Sequence, residues 1–137
     1  MQRKLIVVPQ FKKEWSQTIQ RYRQYRKKLE KRFLHLTEVL RQQGSSAINS
    51  PNFGDIEGSG QHKLYKMVIS TKKPNIRVIF TILDAHKQEG IETIVLLTVF
   101  YEKEKESDYK EAIDRAIGRI KAFFIKEKEG GDNYENV

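Results

Sequence analysis

The sequence predicts an α+β domain: an N-terminal helix hairpin packed on a mostly antiparallel four-stranded sheet, followed by a C-terminal helix, in the order β-α-α-β-β-β-α. Three observations predict it. Between Lys63 and Tyr109 lie three apolar runs, KLYKMVIS, IRVIFTIL and ETIVLLTVFY, each long enough for a strand and joined by short polar turns at TKKPN and near Gly90. Residues 10–43 hold neither glycine nor proline and repeat apolar residues at helical spacing. A second helical stripe begins at Tyr109, after the last strand.

Each element has its own justification. Lys4–Val8 is β-branched and stopped by Pro9, which suits the start of a helix. Phe11, Trp15, Ile19 and Tyr22, then Leu29, Phe33, Leu36, Val39 and Leu40, trace the hairpin, and Gly44 caps it. One unbroken helix here would run ~50 Å, so a turn is expected within Gln24–Lys28. Gly44 to Gln61 reads as a loop, with four of the eight glycines and Pro51. Strands are expected at Leu64–Ser70, Ile76–Leu83 and Thr93–Tyr101, paired as a meander. The last two are apolar on both faces, so the hairpin is expected to cover one face and the final helix the other. Ser107 or Asp108 is the expected cap of that helix, with Glu111 completing a capping box. Tyr109, Ile113, Ala116, Ile117, Ile120, Phe123 and Phe124 form its apolar stripe. Residues 126–137 have little to bury and read as a flexible tail of the single domain, 1–137.

Composition narrows the function classes. The absence of cysteine excludes disulfides, thiolate catalysis and cysteine zinc sites. His35, His62 and His86 show no paired metal spacing, and no cofactor is called for. The apolar run before Pro9 is too short for a signal-peptide core, and none reaches the ~20 residues of a membrane span; a cytoplasmic protein is expected. Residues 1–43 hold 12 Lys/Arg against 3 Asp/Glu, net +9, whereas residues 44–137 are net −1. Such asymmetry favours a polyanionic partner, although a solvated basic helix face gives the same count.

Two groups of cations stand out. Arg21, Arg23, Arg26, Lys27, Lys28, Lys31 and Arg32 gather around the expected hairpin tip, as candidate RNA-binding residues. Lys66 and Arg77 lie within strands, where an unpaired buried charge is costly. On one sheet face they would form a cationic pair that a bridging phosphate relieves. The structural alternative has Lys66 reaching water at a strand end and Arg77 pairing with a carboxylate such as Glu102. Lys103 and Lys105 follow in YEKEKES, which also reads as a solvated linker, and Tyr109 also reads as a packing residue of the last helix.

This succession resembles the RelE/ParE toxin superfamily over about residues 4–124. LIVVPQFKKEW is similar to that family's first strand and helix start. DIEGSGQHKLYKMVI is similar to its loop into the second strand, NIRVIFTIL to its third strand, and TIVLLTVFYEKEKESDYKEAIDRAIGRI to its fourth strand, basic linker and last helix. The resemblance implies a RelE- or HigB-like toxin of a type II toxin-antitoxin system: a ribosome-dependent mRNA endoribonuclease that inhibits translation and is countered by an antitoxin protein, with which it would form a hetero-oligomer. It assigns Lys66 to one of two strand-two cations, Arg77 to the arginine on the scissile phosphate, Lys103 or Lys105 to a basic residue after strand four, and Tyr109 to a base-stacking aromatic. The second strand-two cation is replaced by Val68. The same fold includes members that inhibit DNA gyrase without cutting RNA.

RNA cleavage by its own 2′-OH needs a base, charge stabilisation on phosphorus and an acid for the leaving oxygen. Arg77 suits the second role, because a guanidinium grips two phosphate oxygens. Lys66, Glu102 or His62 is the candidate base, Lys103 or Lys105 the candidate acid, and Tyr109 the stacking platform. This chemistry requires no metal.

Overall fold

In a computed structural model, which describes residues 3–57, 60–72, 74–86, 91–101, 103, 105–128 and 135–136, the chain forms β1 (Lys4–Val7), α1 (Pro9–Arg21), α2 (Arg26–Gln43), β2 (Phe53–Ile56), β3 (Leu64–Ser70), β4 (Ile76–His86), β5 (Ile91–Tyr101), α3 (Lys105–Lys128) and β6 (Glu135–Asn136). Pro9 takes the first helical position of α1, where its missing N–H leaves nothing unpaired. The hairpin turns through one turn of 3-10 helix at Arg23–Tyr25, slightly ahead of the expected Gln24–Lys28. Gly44 ends α2 at φ +58, a conformation other residues rarely adopt. It also sits against Arg3 and Glu92 so closely that a Cβ would collide with both side chains.

The expected α+β class holds, but the sheet is mixed and wider than four strands. Its order is β2-β3-β4-β5-β1, with the two-residue β6 beyond β1. β1 runs parallel to β5, the intervening helices and strands providing the crossover that parallel pairing needs. The other pairs are antiparallel. β2 falls inside the expected Gly44–Gln61 loop, which also contains a 3-10 segment at Gly44–Asn49. Four residues, FGDI, are too few for strand periodicity. The ring of Phe53 nevertheless packs edge-on against Phe80, 6.2 Å away, and fixes β2 on the sheet edge. α3 starts at Lys105, ahead of the expected cap; Asp108 lies in its first turn, and its carboxylate accepts the Lys103 backbone N–H. At the other end α3 runs to Lys128, and Glu135–Asn136 pairs with β1.

The two faces of the sheet carry different helices. Phe100 packs edge-on against Tyr109 of α3, whereas its neighbour Tyr101 packs against Tyr22 at the end of α1. Successive strand residues point to opposite faces, so α3 lies on one side and the hairpin on the other, as the two-sided apolar pattern requires. Phe11, Leu29, Leu36, Met67, Ile79, Phe80 and Leu96 are wholly buried between the layers. Each contributes roughly 1.5–3 kcal/mol by leaving water.

One join between the layers is polar. Along β5, β1 covers only Thr93–Leu96, so beyond it that edge of β5 has no strand beside it among the described residues. The register of β4 with β5 slips between Ile79 and Phe80, so Leu97 of β5 has no partner on β4. Arg119 donates to the Leu97 carbonyl at 2.7 Å, and Glu14 accepts from Thr98 Oγ1 at 2.9 Å and from the Val99 N–H at 3.5 Å. Arg119 grips Glu14 with both terminal nitrogens, at 2.7 and 2.9 Å. The pair takes the place of a missing strand and joins α1 to α3 around the end of β5.

Candidate functional site

The register of β3 against β4 sets the site. Lys66 lies opposite Ile79 and Val68 opposite Arg77, so Lys66 and Arg77 project from the same face as diagonal neighbours. They meet at one aromatic ring on α3. Arg77 donates through Nη1 to Tyr109 Oη at 3.1 Å and through Nε to Asn75 Oδ1 at 3.3 Å. Its Cζ is 6.0 Å from the Tyr109 ring centroid, and Lys66 Nζ is 5.8 Å from the same centroid. Tyr109 is held by Phe100, the cross-strand neighbour of Arg77, at 5.1 Å and 77°. The ring quadrupole attracts both cations, and among the described residues no carboxylate pairs with Lys66. Glu102, the carboxylate considered for Arg77, lies outside the described residues.

Gly54 makes room for this arrangement. It lies directly opposite Lys66 on β2, and a Cβ at position 54 would stand 3.0 Å from Lys66 Cε. The lysine stem therefore runs over a bare backbone. Gly54 leaves no signal in the sequence, because the four-residue strand that carries it lies within the loop-like Gly44–Gln61. Asn75 and Phe100 were missed for a similar reason: their roles depend on register.

Lys103 does not join this cluster by any described contact. Its ammonium lies 5.1 Å from the ring of Tyr101, which also carries the Arg21 guanidinium at 4.5 Å. Both flank a cleft of about 490 Å³ between α1, the end of β5 and the start of α3, where Glu14, Glu111 and Arg115 add charge of both signs. The side chain of Lys105 lies outside the described residues. His62 is half-buried just ahead of β3.

The basic residues of the hairpin do not form one cluster. Arg21 turns to Tyr101, Arg26 pairs with Glu30 at 3.0 Å, and Arg32 donates through Nε to the Ile69 carbonyl at 3.4 Å. Arg23, Lys27, Lys28 and Lys31 are exposed. Two titrating groups elsewhere are perturbed. Burial, together with the charge of its cross-strand neighbour Asp55 and of Glu92, pushes the Tyr65 phenol up. Burial alone would raise the Glu92 carboxyl, but hydrogen bonds from Arg3 and Ser45 outweigh it and hold the group below its ordinary value.

No protein-family model, curated protein sequence or solved structure matches this chain. The site therefore rests on its own geometry. Among the described residues no group of three metal-ligating side chains occurs, and no helix is long and apolar enough to cross a membrane.

Proposed function

We propose that this chain is a RelE-type, toxin-like endoribonuclease that cuts mRNA on the ribosome in the cytoplasm, with an antitoxin protein as its counterpart. The observation that carries the reading is the convergence of Lys66 and Arg77 on Tyr109. Two cations on one face, sharing an aromatic ring, suit a phosphate flanked by a base. In the proposed reaction Lys66 first gives a proton to water, then takes that of the 2′-OH, and O2′ attacks the adjacent phosphorus. Arg77 balances the charge that develops on the phosphoryl oxygens. The P–O5′ bond breaks, and the 5′ oxygen takes up a proton from water, leaving a 2′,3′-cyclic phosphate and a 5′-OH. Tyr109 steadies Arg77 and offers its ring to a base.

A second reading has support of its own. The residue beside Arg77 is Val68, and Lys103 is turned to Tyr101. Both leave fewer cations at the phosphate, which favours a non-catalytic member of the same fold, a gyrase inhibitor or a nucleic-acid or antitoxin binder. Primer extension on translating ribosomes separates the two. Codon-positioned cuts with wild type that vanish in Arg77→Ala support the nuclease. Absence of cuts together with inhibited gyrase supercoiling supports the binder, and neither effect overturns both.

A further inference from the structure

A smaller depression, about 190 Å³, lies between α2 and the end of β3, and its lining contains three cations and no carboxylate: Lys28, Arg32 and Lys72, with Ser70, Thr71 and Asn52 beside them. The backbone explains how it forms. β2 begins at Phe53, whose partner is Met67, and the Val68 N–H still donates to the Asn52 carbonyl at 2.8 Å, so the β2–β3 pairing stops short of Ile69 and Ser70. The pairing of β3 with β4 slips between Val68 and Ser70, leaving Ile69 unpaired. Arg32 reaches from α2 to the Ile69 carbonyl, which anchors its guanidinium at the depression by one nitrogen. Among the described residues, Lys28 and Lys72 form no ion pair and the two terminal nitrogens of Arg32 have no partner.

We infer that this depression is an oxyanion site that takes a backbone phosphate of single-stranded RNA. Three gathered cations repel one another unless an anion enters, and the Thr71 hydroxyl supplies a further donor, whereas that of Ser70 already donates to the Lys72 carbonyl at 3.0 Å. RNA is favoured over an acidic protein by position. Val68 lines the depression and lies directly opposite Arg77, with Cα atoms ~5 Å apart. The depression lies on the hairpin side of the sheet and Arg77 on the α3 side, so a strand whose one phosphate meets Arg77 crosses the end of β3 at Val68 to set a second phosphate here. The choice of RNA as ligand rests on the endoribonuclease reading; the existence of an anion site does not.

The test is fluorescence anisotropy with a labelled 12-nucleotide single-stranded RNA across a salt series. The proteins are wild type, Arg32→Gln, the double variant Lys28→Gln/Lys72→Gln, and Lys121→Gln as an exposed control on α3. The double variant removes only exposed side chains, so it keeps the fold. Each pocket variant is expected to weaken binding about tenfold or more, and to lower the salt slope by about 0.7 per cation removed; the control stays at wild type. Pocket variants that bind like the control overturn the inference, whatever Arg77→Ala does to cutting. Pocket-dependent RNA binding without cutting overturns the nuclease reading alone. Wild type that ignores RNA but binds a 12-residue polyglutamate through these cations overturns the choice of RNA.

Discussion

Tyr109→Phe removes one oxygen from the site and leaves its shape. The lost oxygen accepts a 3.1 Å hydrogen bond from Arg77. Bonds to charged groups contribute about 1.5–3 kcal/mol; this one is long and half-buried, so the low end applies. A loss of about 1.5 kcal/mol in holding Arg77 slows cutting roughly tenfold. The phenylalanine ring keeps its edge contact with Phe100 and its place beside Lys66 and Arg77. Tyr109→Ala loses these as well, at about 0.5–1 kcal/mol for each cation and about 0.5–1.5 kcal/mol for the ring pair. Its expected loss is roughly a hundred- to a few thousandfold, on the order of 3–5 kcal/mol. Single-turnover cutting of a labelled mRNA on ribosomes measures both, with thermal melting to establish that Tyr109→Phe is folded. If Tyr109→Phe cuts at the wild-type rate, the hydroxyl does not hold Arg77 in the working state. If Tyr109→Ala does so too, α3 takes no part in the site.

Gly54→Ala crowds Lys66 Cε at 3.0 Å, a flexible atom that moves easily. Stability should fall by under about 1 kcal/mol, in the range of ordinary surface changes, while cutting drops several-fold; equal cutting would remove Lys66 from the site. Glu14→Gln breaks the two-point grip of Arg119, whose side chain is only 15% exposed. A loss of about 2–3 kcal/mol in urea unfolding is expected, below the 3–5 of a fully buried pair, and a loss under 0.5 would show that the pair does not hold α1 to α3. Because the Glu92 carboxyl is held below its ordinary 4.5 when folded, its contribution is complete above that value and is lost as pH falls through the lowered one. The melting temperature of Glu92→Gln should therefore trail wild type near neutrality and converge with it in acid. A gap that persists to low pH would contradict the role of the Arg3–Glu92 pair.

What was legible in the sequence followed from periodicity and punctuation. The 3.6-residue stripe, Pro9 and Gly44 placed the hairpin, and three alternating or doubly apolar runs placed β3, β4 and β5. What escaped depended on contacts distant in the chain. β2 has four residues and is held by Phe53 on Phe80 and by its pairing with β3, neither of which leaves a local signal. The parallel place of β1 beside β5 is a property of topology, not of KLIV. For the site, Lys66, Arg77 and Tyr109 were legible as residue types, and the face shared by the first two followed from strand parity once register was known. Their supports, Gly54, Asn75 and Phe100, could not be read, since each matters only through a cross-strand or turn contact. The basic hairpin residues looked like one cluster by composition; helical projection sends Arg21 towards β5 and Arg32 towards β3.

The central claim is that RNA is cut by its own 2′-OH on the Lys66–Arg77–Tyr109 face. The most direct test uses ribosomes programmed with an mRNA that carries one 2′-deoxy nucleotide at a cut position mapped beforehand. The expected result is that cutting disappears at that position alone, while the unmodified message yields a 2′,3′-cyclic phosphate there. Undiminished cutting of the deoxy message, or no cutting of either, would contradict it.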